Sequence, residues 1–465
     1  MLPNWYFDIF NRYKSTLQQK DALYVALSAG VDSNTLLHWL YSFKAELPTI
    51  YTIHVNHNWH GDYSHLWANF ARSRAAFYGF QHYHYEAHFK DHDPKGLEAA
   101  GREMRYLKFG ETMQENSLLC VGHHRSDQAE TLMQRLLRSS GVRGLGAMRD
   151  FNTVEFGPYA IELFRPFLSI SKQTLYETAT HLNLPWLEDY TNHEADDMER
   201  NIIRNNLFKT MEKTFPKYEA AFYQVTQFMQ EADDLLVELA LEDLDKVSRE
   251  NIYQTHYQNG FIAAKALDLP SLKMLSEKRQ KNLLQNWVRP YNLIFSQKQM
   301  SEFIRVFLAE TPTHQTEFKL ESFGIYYFQE KLYLREFREL DNSRKYRQTS
   351  KQAVDESFKP QASAKICFEE APNAPSKAFW EQFKEGDLQL VKRSGGERFQ
   401  PLMRDKSQLL RKLLQEANLP LWERDRCWIL KNSQTEEILW INHLGFNRSL
   451  KDQLVTEGFA PKIED

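Results

Sequence analysis

Cysteine is scarce in this 465-residue chain, which contains only the isolated residues Cys120, Cys367 and Cys427. An odd number of scattered cysteines excludes a disulfide framework and a Cys-x-x-Cys site, and it is typical of a reducing compartment. No apolar run approaches the roughly 18 residues that a membrane span needs. Residues 1–14 also lack the apolar core and small-residue cleavage site of a signal peptide. We therefore expect a cytoplasmic protein.

The chain also lacks a dominant charge, since 58 Lys and Arg face 62 Asp and Glu, for a net charge of −4. This balance argues against a protein that coats nucleic acid indiscriminately, but it allows a local basic face. The candidate basic face lies late in the chain and comprises Lys392, Arg393, Arg398, Arg404, Lys406, Arg411 and Lys412. An ordinary solvated surface is the alternative interpretation of such a charge run.

Hydrophobic residues make up 42% of the chain, which is ample for packed cores. The most informative segment begins with the apolar run from Leu23 to Leu27, which predicts a buried strand. Residues 28–33 read Ser-Ala-Gly-Val-Asp-Ser, and a helix with Leu36, Leu37 and Leu40 follows. Small residues between a strand and a helix N-terminus let backbone N–H groups approach a phosphate. No Gly-Lys-Ser/Thr follows, so the loop is not a Walker loop. The alternative interpretation is an ordinary strand–turn–helix connection in which Asp or Ser caps the helix.

Residues 1–210 alternate strands and helices, a pattern typical of a doubly wound parallel sheet. Ligands in such sheets lie beyond the carboxyl ends of the strands. The predicted elements are strands at 49–55, 82–87 and 118–122, and helices at 62–78 and 97–116. The 28–33 loop, His54–His57 and Gly122–His124 each end a strand, so we expect all three clusters at one edge of the sheet.

A helix starting near Ser126 would place Asp127 and Glu130 on one face, where they could bind Mg²⁺ or a cationic substrate. Either carboxylate could instead be a helix-terminus charge. Arg102 and Arg105 also share a helical face, and they suit an anionic substrate if they point inward.

The 28–33 loop resembles the Ser-Gly-Gly-x-Asp-Ser signature of PP-loop ATP pyrophosphatases, with Ala29 in place of the first glycine. Further along the chain, an ordered set of motifs resembles the tRNA(Ile)-lysidine synthetase family. The motifs are His-Val-Asn-His (54–57), Glu-Ala-Ala-x-Arg-x-x-Arg-Tyr (98–106), Gly-His-His-x-x-Asp-Gln-Ala-Glu-Thr (122–131), Arg-Ser-Ser-Gly (138–141), Arg-Pro-Phe-Leu (165–168), Glu-Asp-Tyr-Thr-Asn (188–192), Arg-Asn-Ile-Ile-Arg (200–204) and Gly-Glu-Arg-Phe-Gln-Pro (396–401). The resemblance is strong over residues 20–210 and looser over 390–445.

This resemblance implies a ligase that uses ATP to adenylate the wobble cytidine of the isoleucine tRNA with a CAU anticodon. Free L-lysine then displaces AMP to form lysidine, and codon reading changes from AUG to AUA. In that family the loop holds pyrophosphate and the aspartate helps to hold Mg²⁺. The resemblance therefore implies ATP and Mg²⁺ as cofactors and tRNA and L-lysine as partners, with no membrane. The sequence leaves the oligomeric state open, a homodimer included.

Site residues follow from the matched motifs. The predicted ATP-binding residues are Ser28, Ala29, Gly30, Val31, Asp32 and Ser33, with Asp32 also a Mg²⁺ ligand. The predicted catalytic residues are Asp32, His123, Asp127 and Glu130, of which Asp127 and Glu130 would hold lysine and His123 would lie near the adenylate. The predicted substrate-positioning residues are Arg102, Arg105, Asn192, Arg200 and Arg204, and the basic face from Lys392 to Lys412 would bind tRNA.

Other interpretations remain open at this point. A tRNA thiolase would need sulfur-handling cysteines, which three scattered residues serve poorly. An RNA-binding protein without ATP chemistry would not need Asp32 or the acidic pair. His82, His84 and His88 do not form a closed zinc set, and Ser394-Gly395-Gly396 lacks the aspartate of a second PP-loop.

The predicted domains are a PP-loop catalytic domain at 1–215, a mainly helical tRNA-contacting domain at 216–345, a linker at 346–364 and a C-terminal α+β domain at 365–465.

Overall fold

The computed structural model describes residues 1–58, 62–87, 97–188, 199–250, 265–336, 365–384, 386–424 and 427–464. Asn192 and the predicted linker 346–364 lie outside these residues. The chain forms two compact units, Met1–Leu236 and Val237–Asp465. Among the described residues, no helix combines the length and the apolar character needed to cross a bilayer.

The first unit contains a six-stranded sheet in the order β3-β2-β1-β4-β6-β5. Its strands are β1 Ala22–Ala26, β2 Thr49–Asn56, β3 Gln81–Glu86, β4 Ser117–Cys120, β5 Phe151–Phe156 and β6 Tyr159–Phe164. All neighbours pair in parallel except β5 and β6, which form an antiparallel hairpin at the edge. The predicted doubly wound α/β class is thereby confirmed.

Helices cover both faces of this sheet. They are α1 Asn4–Gln18, α2 Val31–Ser42, α3 Asp62–Tyr78, α4 Leu97–Thr112, α5 Arg125–Leu137, α6 Val142–Leu145, α7 Lys172–His181, α8 Glu199–Ile202 and α9 Lys209–Thr214, with a π-helical segment at Ile203–Phe208. Alternate residues of β1 enter two different cores: Leu23 packs with α1 and α2 residues, whereas Tyr24 packs with α4 residues. Burial on both faces explains why β1 is apolar throughout.

The strand order reverses between β1 and β4, because β2 and β3 lie on one side of β1 and β4 on the other. In open α/β sheets this switch point leaves a crevice at the carboxyl ends of the two strands. The loop after β1 and the residues after β4 therefore meet there, as the sequence predicts.

A long helix, α10 Tyr218–Val247, runs across the boundary between the units. The second unit contains a five-stranded antiparallel sheet, in the order β7-β8-β11-β10-β9, within the segment predicted as mainly helical. Its strands are β7 Ser248–Glu250, β8 Lys265–Asp268, β9 Glu317–Leu320, β10 Phe323–Phe328 and β11 Lys331–Glu336. The helices beside it are α11 Leu269–Met274, α12 Glu277–Val288 and α13 Gln297–Phe303, followed by a π-helical segment at Ile304–Ala309.

The remaining part of the second unit is α+β. Its strands are β12 Lys365–Ala371, β13 Ala374–Pro375, β14 Leu388–Lys392, β15 Arg398–Phe399, β16 Gln408–Leu409, β17 Trp428–Asn432, β18 Ile438–Ile441, β19 Gly445–Phe446, β20 Leu454–Val455 and β21 Gly458–Glu464. Its helices are α14 Lys377–Glu381, α15 Leu410–Glu416 and α16 Leu421–Arg424. Trp422 of α16 packs against Tyr326, Phe328 and Tyr333 of the five-stranded sheet, with ring centroids 5.1–6.0 Å apart.

Candidate active site

The loop between β1 and α2 is closed by hydrogen bonds from its own side chains. Ser33 Oγ accepts from Ser28 N at 3.2 Å and donates to Gly30 O at 3.1 Å. Asn34 Nδ2 donates to both Ala29 O and Gly30 O at 2.9 Å. These bonds fix the loop over the first turn of α2, where backbone N–H groups favour an anion. Sequence reasoning missed Asn34, although an amide just inside the helix start was a signal for such a role.

Ala29 adopts a left-handed backbone conformation, with φ of +70°. This is the position at which the resembling signature has glycine, the residue that reaches positive φ without a steric penalty. An alanine in this region carries strain of about 1–3 kcal/mol. The loop therefore keeps a glycine-type conformation without the glycine.

Gly122 brings the end of β4 against the start of α2. A Cβ at this position would lie 3.0 Å from the carbonyl carbon and oxygen of Asp32 and 3.2 Å from Ser33 N. A residue with a Cβ would force its neighbours to shift by a few tenths of an ångström, whereas glycine permits this close approach without such a shift. The contact sets the position of His123 and His124 relative to the loop.

Asp32, His124 and Asp127 form a line across the switch point. His124 Nε2 lies 3.7 Å from Asp32 Oδ2, and His124 Nδ1 lies 3.5 Å from Asp127 Oδ2. Burial raises the pKa of Asp32, and the nearby His124 opposes that rise. Asp32 Oδ1 is buried and has no hydrogen-bond partner among the described residues, so this oxygen can accept a ligand.

Asp127 and Glu130 lie on the same face of α5, as their spacing predicts, and both bind arginine. Arg200 Nη2 donates to Asp127 Oδ1 at 2.7 Å, and Arg200 Nε donates to Glu130 Oε2 at 2.5 Å. Arg204 donates to both oxygens of Glu130, from Nε at 2.6 Å and from Nη2 at 3.0 Å. Asp127 Oδ2 also accepts from the backbone N–H of His124 at 3.0 Å. We call these four side chains the arginine–carboxylate cluster.

The electrostatics of this cluster differ from those of isolated carboxylates. Burial alone would raise the pKa of Asp127, but His124, His123, Arg200 and the backbone N–H lower it to about 2. Glu130 is 1% exposed, whereas the Arg200 and Arg204 side chains are 39% and 31% exposed. The two guanidinium groups therefore cover a buried anionic pair from the solvent side. Arg200 and Arg204 reach it together because they are one helical turn apart, where α8 meets the π-helical segment.

His123 lies beside this cluster and is kept neutral. Burial lowers its pKa to about 4, and Arg165 and Arg200 oppose its protonation further. Its Nδ1 is buried without a hydrogen-bond partner among the described residues. Arg165, which sequence reasoning did not select, is 5% exposed and follows β6 at the same sheet edge.

The histidines of β2 and β3 form a stack next to the loop. The His54 and His84 rings are stacked with centroids 5.7 Å apart, and His54 Nδ1 donates to Leu27 O at 2.6 Å. Burial lowers the pKa of His54, His57 and His82 to about 4. Among the described parts of the chain, no group of three or more His, Cys, Asp or Glu could hold a metal ion.

Arg102 and Arg105 on α4 are exposed and have no ion pair with the α5 carboxylates among the contacts of the described residues. Arg102 lies over the Tyr106 ring at 4.8 Å, and Arg105 is close enough to lower the pKa of His57. Neither arginine therefore belongs to the arginine–carboxylate cluster.

The basic residues after position 390 belong to the second unit. Exposed members are Lys392, Arg398, Lys406, Arg411 and Lys412, whereas Arg393 and Arg404 are half-buried.

The Ser394–Gly396 segment is a turn that the Glu397 carboxylate fills, because Glu397 Oε1 accepts from Ser394 N at 2.5 Å and Gly395 N at 2.7 Å. This occupation is unlike an open phosphate loop.

Three family models match the chain in order. Residues 6–211 match the PP-loop domain, residues 267–333 the TilS substrate binding domain, and residues 388–459 the TilS substrate C-terminal domain. The first range includes the β1–α2 loop, the second includes β9 and β10 of the five-stranded sheet, and the third includes the basic residues.

Similar proteins are named tRNA(Ile)-lysidine synthase. The chain is 29% identical to the one from Nitrosomonas europaea over 94% of this chain and 91% of that protein. It is 28% identical to the one from Coxiella burnetii over 89% and 87%. With the protein from Pseudomonas syringae pv. tomato, identity is 32%, and the match covers 57% of each chain. These matched domains and relatives confirm the predicted resemblance of the chain to the tRNA(Ile)-lysidine synthase family of PP-loop proteins.

Proposed function

We propose that this protein joins free L-lysine to C2 of the wobble cytidine in the CAU-anticodon isoleucine tRNA. The cytidine O2 attacks the α-phosphorus of ATP, and pyrophosphate leaves. The ε-nitrogen of lysine then attacks C2, the bond from C2 to the adenylated oxygen breaks, and AMP leaves with that oxygen. The product, lysidine, reads AUA in place of AUG. The observation that carries the proposal is the meeting of the PP-loop and an acidic pair at one switch point of the sheet.

The PP-loop is the proposed binding site of the ATP phosphates. Residues Ser28 to Ser33 supply backbone N–H groups and hydroxyls at the start of α2, where an anion is favoured. The buried, unpartnered Asp32 Oδ1 fits a magnesium ligand, since Mg²⁺ is usually held by one or two carboxylates together with substrate phosphates. Asp32 would hold Mg²⁺, whose charge would offset that of the leaving pyrophosphate.

The ε-amine of lysine must lose a proton before it can act as a nucleophile. With an ordinary pKa of about 10.4, the ε-amine is almost entirely protonated near neutral pH, and the neutral form costs roughly 4 kcal/mol. In the proposal Asp127 and Glu130 bind the ammonium group, and His123 lies near the adenylate. A nearby general base can accept a proton as the nitrogen attacks C2.

The guanidinium groups of the arginine–carboxylate cluster occupy the place that the ammonium group needs. We therefore assign an exchange in which lysine replaces Arg200, the more exposed of the two arginines. The released Arg200 can then bind phosphate or the modified nucleotide, to which a guanidinium offers two parallel hydrogen bonds. Arg204 keeps its two bonds to Glu130 and holds that carboxylate in place. Arg102, Arg105 and Asn192 would position the cytidine and its phosphates.

The basic residues from Lys392 to Lys412 would bind the tRNA backbone. Lysine and arginine contacts to phosphates set the register of a nucleic acid and carry little base information. Binding that rests on them weakens steeply as salt increases. The proposal leaves the number of subunits open, a homodimer included.

One assay tests the proposal against its rivals. The full-length protein is incubated with ATP, labelled lysine and either the CAU isoleucine tRNA or the methionine tRNA. The proposal predicts lysine incorporation into the isoleucine tRNA only, with one AMP per lysine. A thiolase would incorporate no lysine, and an RNA-binding protein without ATP chemistry would release no AMP. Either result would overturn the proposal.

A further inference from the structure

The loop between β15 and β16 presents a fully exposed methionine at its tip. Met403 is 96% exposed, whereas the preceding Leu402 packs into the core of the same unit. Covering an apolar side chain with a binding partner removes it from water, which lowers the free energy of the complex. A single exposed methionine is ordinary on a protein surface, so its meaning depends on how the loop is built and what surrounds it.

The loop holds Met403 in a fixed position. Arg404 O accepts from Gln400 Nε2 at 2.9 Å and from Arg448 Nη1 at 2.7 Å, and Arg404 N donates to Pro401 O at 3.0 Å. Pro401 also pairs with Asn447, outside the regular strands. A tip that is already ordered loses little conformational entropy when it binds. This construction is typical of a recognition loop rather than of a connector.

Several basic residues lie close to this tip along the chain. The two carboxylates beside it are already paired, Asp405 with Arg448 at 2.7 Å and Glu416 with Arg404 at 2.5 Å. Lys412 lies one turn before Glu416 on α15, so it faces the same side as the loop. Lys406 and Arg411 are exposed nearby in the chain. The surface therefore complements an anionic partner that also has an apolar or aromatic face.

We propose that Met403 packs against the exposed face of a tRNA nucleobase while the surrounding cations contact phosphates. This inference rests on the proposed function, because it takes tRNA as the partner of this unit. Unstacked RNA bases are commonly recognised by packing against side chains, and methionine sulfur makes favourable contacts with aromatic rings. The exposed base face can belong to an unpaired nucleotide or to the end of a paired stem.

Binding of the CAU isoleucine tRNA to Met403→Ala tests this inference. We expect the Kd to rise about two- to tenfold, with an unchanged slope of log Kd against log salt, because no phosphate contact is lost. Lys412→Ala should instead reduce that slope, and Met403→Leu should keep most of the affinity. The control is Phe77→Ala, since Phe77 is also exposed, at 73%, but lies on α3, outside the predicted tRNA-contacting segments. A change of less than twofold in Met403→Ala, or the same change in Phe77→Ala, overturns the inference.

A second measurement, by NMR, tests the same contact without relying on a change in Kd. In protein carrying ¹³C-labelled methionine methyl groups, the Met403 signal is identified by its loss in Met403→Ala. It should shift upfield when tRNA is added, because an aromatic base shields a methyl group above it. An upfield shift with a single-stranded oligonucleotide indicates an unpaired base, whereas a shift only with a blunt duplex indicates a stem end. An unshifted signal in the presence of bound tRNA overturns the inference. If wild-type protein binds no tRNA, the proposed function fails. If it binds tRNA but the Met403 signal does not shift, only the inference about Met403 fails.

Discussion

Arg204 binds both oxygens of Glu130, at 2.6 and 3.0 Å, and thereby holds a 1%-exposed carboxylate beside the PP-loop. Arg200 completes the arrangement with bonds to Glu130 and Asp127. Both arginines lie about 70 residues after the carboxylates that they bind. The cluster is therefore a product of the tertiary fold, and it makes the exchange with lysine open to measurement.

Replacing Arg200 by alanine should separate lysine binding from nucleotide chemistry. Because Arg200 competes with the ammonium group, its loss should lower the KM for lysine about two- to fivefold, which corresponds to less than about 1 kcal/mol. Because the guanidinium released in the proposed exchange binds the adenylate phosphate, the lysine-dependent release of AMP from adenylated tRNA should slow at least about tenfold. Steady-state kinetics in lysine and single-turnover AMP release from adenylated tRNA measure the two effects.

The control for this variant is Arg149→Ala, which removes an arginine paired with Asp233 and Asp234 elsewhere in the first unit. It should leave both quantities unchanged. A higher KM for lysine in Arg200→Ala would contradict the exchange and would favour direct contact between Arg200 and lysine.

At Ala29, two substitutions should have opposite outcomes. Ala29→Gly relieves about 1–2 kcal/mol of left-handed strain. The substitution also lowers the free energy of unfolding by about 0.8 kcal/mol, because a buried methyl group is lost. It lowers it by about 0.4–1 kcal/mol more, because glycine gives the unfolded chain more conformational freedom. These terms nearly cancel, so the free energy of unfolding should change by less than about 1 kcal/mol, with activity retained. Ala29→Val should abolish AMP formation, because a β-branched residue at φ +70° is a genuine outlier. Denaturant unfolding and AMP release measure these effects, and an active Ala29→Val enzyme would refute the role of this conformation.

Gly122→Ala should impair adenylation through geometry alone. The added Cβ would lie 3.0 Å from the Asp32 carbonyl, so the loop and the β4 end must separate by a few tenths of an ångström. Misplacement of reacting groups on this scale is expected to lower kcat about tenfold or more, while tRNA affinity stays the same. The matched control is Gly141→Ala, where nothing lies within 4 Å of the new Cβ. Equal kcat values for the two variants would show that the close approach is unimportant.

Acid should destabilise the first unit through its buried histidines. Burial lowers the pKa of His54 to about 4, below its ordinary value of about 6.5. The unfolded chain therefore binds the proton more readily, and the stability contributed by neutral His54 is complete above pH 6.5 and is lost as the pH falls toward 4. The full shift corresponds to at most about 3 kcal/mol. Urea unfolding at pH 5 and pH 7.5 should show a smaller difference for His54→Gln than for wild type. An equal difference would mean that His54 does not titrate in this way.

The site and the sheet around it could be predicted where the signals are local. The apolar run of β1 predicts that strand to within one residue, and the bounds of α3 agree with prediction. The periodicity of Leu36, Leu37 and Leu40 predicts a helix where α2 lies. The meeting of the loop with Gly122–His124 followed from the parallel sheet alone. The predicted helix at 97–116 instead ends at Thr112, and Asn116 lies in a turn before β4 with a positive φ of 49°.

Features that depend on distant residues could not be predicted. Nothing local indicates that Arg200 and Arg204 cover Asp127 and Glu130, since their proximity arises only when α8 packs beside α5. The left-handed conformation of Ala29 is not indicated by alanine itself, and the glycine at this position of the resembling signature was its only sequence signal. Gly122 carries no sequence signal that separates close packing from a simple turn.

Transfer of label from [α-³²P]ATP to the isoleucine tRNA, in the absence of lysine, tests the account most directly. We predict that wild-type protein places the label on the tRNA and releases it as AMP when lysine is added, and that Asp32→Asn transfers none. Formation of lysidine without any labelled tRNA intermediate, or full label transfer by Asp32→Asn, would contradict the account.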